Sequence, residues 1–200
     1  MNLEEGCIYG LLGENGVGKT TFLTLLSGLK KPQLGEIDID GHKPYDREPS
    51  FLADQYYLSD EVAAVNMKAI DYARNYGKFW ENFDIGKFKE VMEVLENDTE
   101  QKMTRMSFGQ LKKTYIAFAL ACNTKYLFMD EPTNGLDIVT ARNVTDLLQK
   151  LRDEGKLVII STHIMSEAEK LCDRVGIIID GKKVTEGTLP ELLAKTDAVD

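Results

Sequence analysis

Short apolar runs, each cut off by glycine, proline or carboxylates, alternate along this chain with stretches whose apolar residues recur at helical spacing. Five runs read as strands: Ile8 to Leu12, Glu36 to Ile39, Tyr126 to Met129, Leu157 to Ser161 and Val175 to Ile179, with Lys183 to Glu186 as an edge candidate. Between Val62 and Ala121 strand signals vanish, and helix-like stretches run from Val65 to Tyr76, Ile85 to Leu95 and Phe108 to Ala121. A last helix, Leu189 to Lys195, leads into a polar tail expected to fray. The alternation predicts an α/β fold built on a mostly parallel sheet with helices on its faces. The change of pattern divides that fold into an α/β core, residues 1–60 and 120–200, and a helical subdomain inserted at residues 61–119.

Composition narrows the class without defining it. Two hundred residues, 43% hydrophobic and 28% charged, suffice for one domain with a real core and a small insertion. A net charge of −9 argues against a nucleic-acid backbone as the main partner, which would favour a basic surface. Cys7, Cys122 and Cys172 are odd in number and set in apolar segments, so they read as buried reduced thiols and point to a cytoplasmic compartment. No stretch approaches the roughly 20 apolar residues that span a bilayer, and no charged region followed by an apolar signal core opens the chain. Any membrane association is therefore expected to run through a partner.

The chemistry concentrates at Gly13 to Thr20, G-E-N-G-V-G-K-T, which fits the P-loop template of two glycines five positions apart followed by Lys and Ser/Thr. An apolar strand precedes it, and Thr21 to Ser27 follows with helical spacing and Gly28 as a stop. Such a loop turns backbone N–H groups and a helix N-terminus toward a phosphate tail. Lys19 then supplies a mobile charge for the outer phosphates, and the Thr20 hydroxyl suits a Mg²⁺ ligand position. A second constellation ends the run Tyr126 to Met129 in two carboxylates, Asp130 and Glu131. At the carboxyl edge of a parallel sheet Asp130 can hold Mg²⁺ opposite Thr20, and Glu131 can polarise an attacking water. His163, after the run Leu157 to Ser161, occupies the same kind of edge, whereas His42, in a polar turn, reads as exposed and without a role.

In order and spacing these residues resemble the ATPase subunits of ATP-binding cassette (ABC) transporters across nearly the whole chain, a family with a P-loop NTPase (RecA-like) core. Gly13 to Thr21 resembles its Walker A, Leu127 to Glu131 its Walker B with the catalytic glutamate, and Thr133 to Asp137 its D-loop. Met106-Ser107-Phe108-Gly109-Gln110 resembles the signature, usually L-S-G-G-Q, with Phe108 in place of the first glycine. The resemblance implies ATP and Mg²⁺ as cofactors, and nucleotide contacts from Gly13, Glu14, Asn15, Gly16, Val17, Gly18, Lys19, Thr20 and Thr21. It implies that His163 contacts the γ-phosphate, and that Ser107, Gly109 and Gln110 close over ATP held by a second cassette packed head to tail, as a homodimer or a cassette heterodimer. Gln55 is the candidate for the Mg²⁺-shell glutamine of the Q-loop, with Asp54 as the alternative.

The implied partner is a transmembrane permease subunit, which would hold the chain at the inner face of the cell membrane. The closing segment, from Cys172-Asp173-Arg174-Val175 through Glu186-Gly187, resembles exporter-type cassettes. Tyr72, Tyr76, Phe79, Trp80, Phe83 and Phe88 form either an exposed anchor for that partner or the core of the insertion. Family members begin earlier, with a strand pair and an aromatic residue that stacks on adenine. The expectation here is a weaker hold on the base, such stacking being worth roughly 1–3 kcal/mol in other nucleotide sites. The alternatives are a non-transporting ABC-type ATPase and a truncated cassette that binds nucleotide with little turnover.

Overall fold

A computed structural model describes residues 3–196. The polar tail beyond Lys195 lies, from residue 197 onward, outside them. In chain order the elements are β1 (Cys7–Leu12), α1 (Lys19–Leu26), α2 (Pro49–Ala53), β2 (Gln55–Leu58), α3 (Ala69–Gly77), α4 (Ile85–Val94), α5 (Phe108–Ala121), β3 (Tyr126–Asp130), α6 (Ile138–Asp153), β4 (Leu157–Thr162), α7 (Met165–Leu171), β5 (Arg174–Ile179), β6 (Lys182–Gly187) and α8 (Leu189–Thr196). The strands form one sheet in the order β2-β3-β4-β1-β5-β6. Every pairing is parallel except the β5–β6 hairpin at one edge.

The central strands are near-continuous apolar runs because both of their faces are covered. Alternate residues supply two cores, as the period of 2 requires. Ile8, Leu127, Met129, Val158 and Ile160 face the larger core, shared with α3, α4, α5, α6 and α7. Tyr9, Leu11, Phe128 and Ile159 face a smaller one with Leu23, Leu26 and Phe51. The register sets Leu12 beside Thr162 and Asp130 beside Ser161, so the carboxyl ends of β1, β3 and β4 share one edge.

Helices α3, α4 and α5 occupy the stretch where strand signals vanish, and their aromatics form core more than surface. Phe118 of α5 is the hub, with the rings of Tyr56, Tyr72, Trp80 and Phe83 at 5.0–5.7 Å. Phe88 is fully buried, while Phe79 stands 69% exposed.

Two strand expectations are corrected. Glu36 to Ile39 alternates in polarity, and Ile37 and Ile39 do pack on the smaller core, but the segment forms no strand. Its one recorded bridge, among the described residues, joins Ile39 to His42. Alternation marks a half-buried segment, whereas a strand also needs a neighbour in register. Conversely β2, unmarked in the sequence, pairs with β3 from Gln55–Tyr126 to Leu58–Met129. His42 is half-buried, not fully exposed, and its Nδ1 meets Glu48 Oε2 at 2.6 Å.

Candidate functional site

At the carboxyl edge of the sheet the loop after β1, the N-terminus of α1, and the loops after β2, β3 and β4 enclose a cleft of about 520 Å³. Gly18 caps α1 at φ 107 and Gly16 sits at φ 86, backbone conformations that favour glycine and bend the loop around the helix start. Lys19, the first residue of α1, is 5% exposed. Its Nζ donates to Gly13 O at 2.7 Å and Glu14 O at 3.2 Å, and lies 3.3 Å from Glu131 Oε1.

The opposite wall comes from β3 and β4. Thr20 Oγ1 donates to Asp130 Oδ2 at 2.5 Å, while the Ser161 hydroxyl donates to the other Asp130 oxygen. Glu131, at φ 46, is held through its backbone N–H, which donates to Ser161 Oγ at 3.0 Å and Ser161 O at 3.2 Å. Its Oε2 meets His163 Nδ1 at 3.0 Å. Its buried Oε1 has the Lys19 ion pair but no well-formed hydrogen bond, which leaves acceptor capacity unused beside Lys19. Walker A residues, both Walker B carboxylates and the strand-end histidine thus converge.

The lining sets Asp60, Glu61, Asp130 and Glu131 against Lys19, so its fixed charge is net negative. A divalent cation on a polyphosphate lowers the charge that such a lining meets. Thr20 Oγ1 and Asp130 are hard oxygen donors side by side, the set that Mg²⁺ takes when phosphates and water complete its shell. Among the described residues no group of three or more His, Cys, Asp or Glu stands placed to hold a metal ion.

Gln55 does not belong to this cleft, and neither does Asp54. Gln55 opens β2, three residues or about 10 Å before the strand's carboxyl end, and its Oε1 is buried without a partner. Asp54 accepts from the backbone of Tyr126 at the same far end. The residue that follows β2 into the cleft is Asp60. The error is one of register, because a four-residue strand rich in Tyr carries no alternation to fix its limits.

Ser107, Gly109 and Gln110 line no part of the cleft either. Ser107 caps α5: its Oγ accepts from Gln110 N at 3.3 Å, and its N–H donates to Gln110 Oε1 at 2.9 Å. The Phe108 ring folds onto the D-loop, where a Cβ on Gly135, at φ 77, would meet it at 2.6 Å. Phe108, Ile138 and Val139 are 46%, 89% and 70% exposed, giving this surface an apolar character. Asp137 caps α6 by accepting from Thr140 N at 2.9 Å, and that hydrogen bond holds its carboxyl below the usual range.

Beyond Asp60, sequence reasoning passed over Ser161 and Lys112. Lys112 had a signal, since it stands four residues before the fully buried Ile116 on an apolar helix face.

Known proteins share this chain's sequence and its fold. Residues 1–134 match the family described as ABC transporter. The chain is 33% identical over 199 residues to an uncharacterised ABC transporter ATP-binding protein of Methanocaldococcus jannaschii, covering 96% of this chain and 71% of that protein. It is 33% identical over 202 residues to the Nod factor export ATP-binding protein I of Burkholderia lata, covering 98% of this chain and 66% of the relative. This chain therefore spans 66–71% of the length of these two relatives. A solved dimeric ATP-binding cassette in a post-hydrolysis state, bound to ADP and Pi, superposes with a TM-score of 0.81 at 26% identity over 94% of this chain and 88% of its own. With the family model matched over residues 1–134 and relatives 33% identical over nearly the whole chain, the chain belongs to the ABC transporter family as an ATP-binding subunit.

Proposed function

We propose that the cleft hydrolyses ATP to ADP and phosphate, and that the cycle drives a separate transmembrane permease subunit. The observation that carries the reading is the meeting of Lys19, Thr20, Asp130, Glu131 and His163 at one sheet edge. Mg²⁺, when bound, neutralises phosphate charge; Thr20 and Asp130 are the residues that would hold it. Phosphate oxygens compete with Glu131 for the Lys19 ammonium, and Glu131 Oε1 is then free to take a proton from the attacking water. His163 keeps the other Glu131 oxygen oriented. The work is positioning and charge stabilisation, as phosphoryl transfer requires.

Ser107, Gly109 and Gln110 serve a second copy: they stand outside their own cleft, on an exposed surface with apolar neighbours suited to an isologous contact. Residues 61–119 form the arm that meets the permease, with Phe79 as its exposed aromatic. Such a contact would place the chain at the inner face of the membrane; among the described residues no helix is long and apolar enough to cross one. An export role accords with the name of the Burkholderia lata relative.

Glu131→Gln tests the reading through steady-state phosphate release at saturating MgATP. Turnover is expected to fall at least about 100-fold, the lower end of the range for loss of a general base. The variant should retain nucleotide and elute as a dimer. Equal turnover in both proteins would remove Glu131 from its role.

A further inference from the structure

Gly18, Thr21, Phe22 and Leu25 recur at helical spacing, so they share one face at and beyond the start of α1. That face borders a second cleft, of about 450 Å³, lined on its far side by Ile178, Gly181 and Lys183 of the β5–β6 hairpin and its turn. Gly18 and Thr21 also line the cleft that holds Lys19 and Glu131, so the two clefts meet at the start of α1. A Cβ on Gly18 would lie 4.0 Å from Gly181 Cα, and since both residues are glycine no side chain of theirs divides the two spaces.

The chemistry changes across that junction. The first cleft is rimmed by carboxylates and a lysine, whereas in the second only Thr21 and Lys183 carry a polar side-chain group. The Lys183 ammonium is already engaged, with Glu186 Oε2 at 2.5 Å, which leaves its aliphatic stem as lining. Phe22, half-buried, is the one aromatic residue of the wall. Such a surface suits a flat, weakly hydrated ring and offers nothing to an anion.

Orientation follows from the charged cleft. Lys19, Glu131 and His163 gather where an outer phosphate belongs, so the other end of a bound nucleotide points away from them. The inner phosphate then falls to the backbone beyond Thr20, at Thr21, where the apolar cleft begins. We propose that this cleft is the nucleoside subsite: ribose and base lie between α1 and the β5–β6 hairpin, with Phe22 as the aromatic surface for the base. This deepens the nucleotide-binding reading above and rests on it. The base is held by packing on its faces, not by hydrogen bonds to its edges.

Calorimetry on the full chain tests it with two ligands, MgADP and magnesium pyrophosphate, which shares the phosphates and lacks the nucleoside. Phe22→Ala should weaken MgADP at least about fivefold, the lower end for losing one stacked base, while changing pyrophosphate affinity by less than about twofold. Leu25→Trp, which fills the cleft from the same helix face, should act in the same way, and retained pyrophosphate binding shows that each variant is folded. In the parent, irradiation of bound 2-azido-ADP followed by peptide mass spectrometry should place the label within residues 21–25 or 176–183. If either folded variant keeps the parent's MgADP affinity, or the label falls outside both segments, the nucleoside subsite is refuted while the phosphate site stands. If the parent binds neither MgADP nor pyrophosphate, the failure lies in the nucleotide reading and takes the subsite with it.

Discussion

Glu131 shows how a single residue is prepared for chemistry. Its φ of 46 and the hydrogen bonds of its backbone N–H to Ser161 fix the turn after β3, and its two oxygens are divided between Lys19 and His163. Each neighbour comes from a different element, so its placement depends on the sheet register, which sets Asp130 beside Ser161. In the proposed function Lys19 has a double task, since the ammonium that pairs with Glu131 is also the one offered to phosphate. Lys19→Ala should weaken MgATP binding at least about tenfold, or roughly 1.4 kcal/mol. Calorimetry showing unchanged affinity would count against the loop as the phosphate site. Residue types at motif positions were legible in the sequence because the chemistry restricts them. Asp60 was not, because a carboxylate after an unmarked short strand has no local distinction.

Among the elements, α5 carries the most consequence per residue. Its N-terminal end supplies the Ser107 cap and exposed Phe108, and its later turns bury Ile116, Ala117 and Phe118 in the larger core. Phe118 is 1% exposed and touches rings from β2, α3 and the loop before α4. Phe118→Ala should cost about 3–5 kcal/mol of stability, the range for emptying a buried aromatic site, and urea melts measure it. A loss below about 1 kcal/mol would mean that the insertion is not organised around this ring. The bounds of α5 were readable from its apolar spacing and its cap. That Tyr72, Trp80 and Phe83 turn inward was not, since a helix face rich in aromatics looks the same whether it meets a core or a partner.

For the whole molecule, burial of the thiols has a measurable effect. Desolvation pushes Cys172 up to about 12 and Cys122 well above its ordinary value, while Cys7 rises to about 11 by burial with help from Asp173. The folded chain then keeps protons that the unfolded chain releases above about pH 9. Stability from these thiols is complete below that pH and declines as pH rises toward 12, by on the order of 1 kcal/mol per pH unit for each of the buried Cys122 and Cys172 and by less for the part-exposed Cys7. Denaturant melts at pH 8 and pH 10 should differ in that direction, and Cys122→Ala should reduce the difference. An unchanged difference in that variant would mean that the Cys122 thiol does not drive it.

The sequence by itself determined the alternation of strands and helices, the phosphate loop, the paired carboxylates and the strand-end histidine. These are local facts, written in spacing and in residue types that few other roles require. Tertiary structure decided what depends on neighbours distant along the chain. It left Glu36 to Ile39 without a register partner, made a strand of Gln55 to Leu58 by pairing it with β3, and moved the residue after β2 in the cleft from Gln55 to Asp60. It also buried Lys112 against that residue. Pairing and burial are settled by what the rest of the chain brings alongside a segment, and no window of sequence contains that information.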